Sequence, residues 1–122
     1  FGSNGNDFCN SIFVDNSANV YTTGSFAGEV DFDPGENEHL LTGNTYISKL
    51  NQSGNFVWAK AIDGSTAAGI SIAVDNSENV YYGGIFSGTV DFDPGTDLFE
   101  MVSVGGTNIF ISKLNTSGDF LW

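Results

Sequence analysis

Residues 71–95 read SIAVDNSENVYYGGIFSGTVDFDPG, and residues 11–35 read SIFVDNSANVYTTGSFAGEVDFDPG. The two stretches are offset by 60 residues and are identical at 18 of 25 positions. A second block follows each of them: ISKLNQSGNFVW at 47–58 and ISKLNTSGDFLW at 111–122, offset by 64 and identical at 9 of 12 positions. Self-similarity at a fixed period of tens of residues marks a repeat architecture, in which one unit buries its apolar face only by stacking on the next. The change in offset falls in the poorly matching stretch 36–46 against 96–110, which is therefore predicted to be a surface excursion with a short edge strand.

Each copy divides in the same way. Residues 71–75 form a short β-rich run, 76–79 a polar turn, and 80–86 a second strand. The excursion from 88 to 106 includes a predicted strand at 98–104. A third strand spans 108–114, a turn spans 115–118, and residues from 119 onward open a fourth strand, traceable in the first copy from 55 to 62. Short strands separated by Asn, Gly and Ser turns, with no sustained helical period, define an all-β chain. The reading is two β-propeller blades of about four antiparallel strands each, repeat 1 at 1–60 and repeat 2 at 61–122, forming part of a larger or oligomeric propeller.

Glycine punctuates this pattern. Gly54 and Gly118 stand where the turns NQSGN and NTSGD need a positive φ. The turns DNSAN and DNSEN carry Ala18 and Glu78 at that place, which shifts the expected left-handed residue to Asn19 or Asn79. Gly24 and Gly84 lie inside strands, where the missing side chain implies close approach of another backbone.

Composition narrows the partners. Fifteen acidic residues against three basic ones give a net charge of -12, and arginine is absent. Nucleic acid binding needs cationic side chains to displace counterions from phosphates, so it is excluded, and an anionic membrane repels such a surface. No apolar run is long enough for membrane insertion as a helix. The chain begins with Phe1 rather than Met, which implies a removed leader or a larger parent chain. Cys9 has no second cysteine to pair with and is read as a small buried side chain. His39, in ENEHL, is read as solvated.

The strings VDNSENVYYGGIFSGTVDFDPG and NIFISKLNTSGDFLW closely resemble the SBBP (seven-bladed β-propeller) repeat family of bacterial exported and surface proteins. Ala18 and Glu78 depart from that family's pattern, which has glycine there. The resemblance implies a secreted or cell-surface bacterial location and no assigned catalytic activity. Two blades do not close a ring, so the expected partners are further blades of the same chain or other copies of it.

Four carboxylates are the candidate metal ligands. Asp31 and Asp33 flank Phe32, and Asp91 and Asp93 flank Phe92, so that strand alternation places each pair on one face. Such pairs, with loop carbonyls, suit Ca²⁺, which takes six to eight oxygen ligands. The competing reading is a turn in which each Asp caps its own backbone and the Phe packs inward. Lys49 and Lys113 occupy matched positions in a buried-looking strand; each is expected either to pair with an Asp of a DFDPG turn or to extend its ammonium to solvent. Trp58 and Trp122 are read as packing between blades. No catalytic residue and no cofactor site stands out. The function expected is a non-catalytic scaffold, adhesion or protein-interaction module. The alternatives are a lectin-like module binding a glycan through its excursions, and a propeller fragment of an enzyme whose catalytic residues lie elsewhere.

Overall fold

The computed structural model describes residues 2–122; Phe1, taken above as the start of repeat 1, lies outside them. Among the described residues nine strands follow one another: β1 (Phe8–Val14), β2 (Val20–Ser25), β3 (Glu29–Asp31), β4 (Leu40–Thr42), β5 (Thr45–Leu50), β6 (Phe56–Val74), β7 (Val80–Asp91), β8 (Glu100–Val102) and β9 (Asn108–Leu114). Among the described residues there is no helix. The first blade is the antiparallel order β1-β2-β5 with the N-terminal part of β6, in which Ile62 pairs with Thr45. The second blade begins in the same strand: the C-terminal part of β6 pairs with β7, and β7 pairs with β9. Leu114 bridges to Phe120 to start the outermost strand. The junction drawn at residues 60 and 61 thus falls inside β6, which runs unbroken from one blade into the next.

The predicted excursion is a small hairpin in each copy. In the first it is β3 against β4; in the second it is the end of β7 against β8. Both fold back over their blade by burying the same three rings. Phe26, Phe32 and Tyr46 pack with centroids 5.4 Å and 4.9 Å apart, and Phe86, Phe92 and Phe110 repeat this at 5.3 Å and 4.7 Å. The inward packing expected of the Phe in DFDPG therefore holds in both copies.

One turn geometry connects the strands four times. Asp15, Asn51, Asp75 and Asn115 each accept, through Oδ1, the backbone N–H groups two and four residues on. The fourth residue of each turn is left-handed: Ala18 and Glu78 at φ 60°, Gly54 at 79° and Gly118 at 80°. Asn19 and Asn79 are not the left-handed residues, contrary to expectation. Their amides instead donate to Asp15 and Asp75 at 2.8 Å and 2.9 Å, which fixes them one place past the strained position.

Gly24 and Gly84 do admit a close backbone. Each sits opposite a β-bulge, between Cys9 and Ser11 or between Gly69 and Ser71. A Cβ at either would run into the carbonyl oxygen of Phe8 or Ala68. The bulge pushes that carbonyl across the ladder, and only glycine leaves room for it.

Candidate functional site

The DFDPG carboxylates close turns. Asp31 Oδ1 accepts the N–H groups of Asp33 at 2.9 Å and His39 at 2.8 Å, and Asp33 Oδ1 accepts that of Gly35 at 2.7 Å. Asp91 does the same with Asp93 at 3.1 Å and Phe99 at 2.9 Å, and Asp93 with Gly95 at 2.7 Å. The His39 and Asp33 amides hold the Asp31 carboxyl below the usual carboxylate range. Strand β3 ends at Asp31, so Asp33 already belongs to the turn. Among the described residues no three His, Cys, Asp or Glu side chains converge as they would around a metal ion.

The residues that do converge lie along the seam between the blades. Lys49 Nζ is 2.8 Å from Glu78 Oε2. Lys49 extends from β5 of the first blade, and Glu78 stands at the left-handed position of the Asx turn in the second. The ammonium also lies 5.0 Å from the centroid of Tyr21, whose hydroxyl donates to Asp15 at 3.2 Å. Lys49 is only 6% exposed. Burial there disfavours the ammonium, but the bonds to Glu78 and Tyr21 outweigh it and raise the pKa above the ordinary lysine value.

This corrects the expected partner: Lys49 neither pairs with a DFDPG carboxylate nor reaches solvent. Stacking brings the Asx turn of the next blade, rather than a DFDPG turn, onto Lys49. Lys113 has its ammonium 5.0 Å from the Tyr81 ring, with no carboxylate in ion-pair reach among the described residues.

Trp58 packs between blades as expected. Its indole N–H donates to the Thr116 carbonyl at 3.1 Å, and its ring lies against Gly118. Thr23 packs on Gly69, where a Cβ would collide with the threonine hydroxyl. Lys60, half-buried, and Asp119, exposed, add a looser pair at 3.8 Å. Two further expectations change. Cys9 is exposed, because it lies on the side of β1 turned away from the second blade, which β1 meets through Asn10 and Phe13. His39 is half-buried, its ring 4.7 Å from that of Phe56, and Phe99 against Phe120 repeats the contact at 4.9 Å.

The fold and seam define the chain as two blades of a β-propeller-type repeat. It is 31% identical over 125 residues to an uncharacterized WD repeat-containing protein of Acanthamoeba polyphaga mimivirus, an alignment that covers 91% of this chain. The chain spans only 9% of that relative's length. No family model and no solved structure matches the chain.

Proposed function

We propose that the chain is a non-catalytic propeller segment that serves as a scaffold or protein-interaction module. One observation carries this reading: the carboxylates that recur in both copies close turns, and the lysine and tryptophan at the seam join the blades. Asp15, Asp31, Asp75 and Asp91 cap backbone amides, and Lys49 and Trp58 hold the seam. A blade so built leaves its hairpin excursions as the variable, exposed element; Leu98 and Val104 project from the second. The likeness to a WD repeat-containing protein supports the propeller part of the reading. Membership of the SBBP family, a bacterial origin and a secreted or cell-surface location rest on the resemblance of the DNSENVYYGG, VDFDPG and ISKLN segments alone.

The test is a glycan array and a panel of hydrolase substrates presented to the purified chain. The scaffold reading expects neither binding nor turnover. Saturable glycan binding that disappears when residues 96–106 are replaced by a Gly-Ser loop would make the chain a lectin-like module instead.

A further inference from the structure

We propose that the open face of the second blade is a docking surface for a further blade whose Asx turn carries a carboxylate at the left-handed position, the place of Glu78. The proposal rests on the propeller reading above and names the partner that this reading requires.

The chain contains one example of the interface. Ile47 is fully buried against the second blade, while its repeat counterpart Ile111 is 68% exposed. Trp58 is 9% exposed and Trp122 is 53% exposed. The receiving face shows the reverse: Ile72 is 6% exposed, and its counterpart Ile12 is 63% exposed. The second blade thus presents to solvent the face with which the first blade grips its neighbour, and the first blade presents the face that is gripped. Such head-to-tail surfaces propagate from unit to unit.

Shape and charge then separate the candidate occupants. At the existing seam Thr23 demands Gly69 opposite it. On the open face the counterpart of Thr23 is Gly83, which leaves room for a side chain such as Cys9, the counterpart of Gly69. A second copy of this chain therefore meets no steric bar at that point. Charge is different. Lys113 stands over Tyr81 at the same 5.0 Å as Lys49 over Tyr21, poised as Lys49 is and lacking only its acid. A second copy would bring Ala18 to that place and bury an ammonium unpaired, which is costly. A blade with Glu or Asp there would complete the pair.

Sedimentation equilibrium of the full chain tests this, because Ala18→Glu turns a second copy into the specified partner. The variant adds the residue that the turn at 75–79 already accommodates at the same φ of 60°. Ala18→Glu is expected to tighten self-association roughly tenfold or more, and Ala18→Glu with Lys113→Gln to return it to the unmodified level. Exchanging the charges, with Ala18→Lys and Lys113→Glu, should restore tight association. An Ala18→Glu chain that associates no better than the unmodified one, or a gain that survives Lys113→Gln, overturns the proposal. Carbodiimide coupling of Lys49 to Glu78 within one chain separates the two levels. If that cross-link forms and association fails, only the docking proposal falls; if it does not form, the stacking of the blades itself is wrong.

Discussion

Lys49 and Glu78 meet at 2.8 Å across the seam between the blades, the lysine buried and the glutamate half in solvent. The pair joins a strand of one repeat to a turn of the next, so its strength reports on stacking rather than on either blade alone. Glu78→Gln leaves a buried ammonium with a weaker partner, and a loss of about 1–2 kcal/mol is expected, reduced from that of a fully buried pair by the exposure of Glu78. A double-mutant cycle with Lys49→Met should give a coupling of about 1 kcal/mol by urea denaturation, and a coupling near zero would mean that the pair does not form. Ala18→Gly, which relieves a left-handed alanine with no partner, should stabilise by about 1 kcal/mol. Glu78→Gly gains the same relief but gives up the pair, and should come out lower than Ala18→Gly.

The Asx turns predict an acid transition. The Asn79 side chain, with the Asn79 and Ser77 amides, lowers the Asp75 carboxyl from 3.8 to about 2. Asp15 is lowered as well: desolvation raises it, but the bonds from Asn19, Ser17 and Tyr21 prevail. A carboxyl depressed in the folded state contributes its full stability above the unfolded value and loses it as pH falls through the folded one. Thermal midpoints should therefore drop between about pH 4 and about pH 2, a window set by Asp75. Asp75→Asn should be less stable at neutral pH and flatter across that window; an unchanged slope would remove Asp75 from the account.

Gly84 gives a steric prediction. A methyl at this site meets the Ala68 carbonyl oxygen, which the bulge pins in place. Gly84→Ala should cost about 3 kcal/mol, while Gly106→Ala, in open space, should cost far less. Equal effects in a denaturation series would contradict the bulge geometry.

Much of the fold was legible because the sequence states it twice. Aligning 11–35 with 71–95 exposes the strands, the turns and the excursion before any contact is known. The identity of the left-handed residue was not legible from residue preference: Asn19 is the better left-handed residue, but Asp15 takes up its side chain and leaves Ala18 to adopt the strained φ. The Lys49 partner was hidden for another reason. Residues 49 and 78 lie at unrelated phases of the repeat and meet only through the stacking of one blade on the next. The one available signal was that Ala18 becomes Glu78 in an otherwise matched turn, an acid introduced in the copy that has a lysine-bearing neighbour.

The DFDPG turns yield a calcium experiment. Asp31→Ala and Asp91→Ala each remove an acceptor of two backbone amides and should lower the thermal midpoint. The loss should be the same with millimolar calcium and with chelator, since the carboxylates close turns. A midpoint of the unmodified chain that rises with calcium, and fails to rise in these variants, would make the turns metal sites.

The seam is tested most directly by the two tryptophans, which are repeat counterparts in opposite environments. Trp122→Phe leaves Trp58 as the sole tryptophan, and Trp58→Phe leaves Trp122, each excited above the tyrosine absorption. Stacked blades predict a blue-shifted emission from Trp58 that acrylamide quenches poorly, and a red-shifted, readily quenched emission from Trp122. Two tryptophans with the same emission and the same quenching would mean that the first blade does not bury its face against the second.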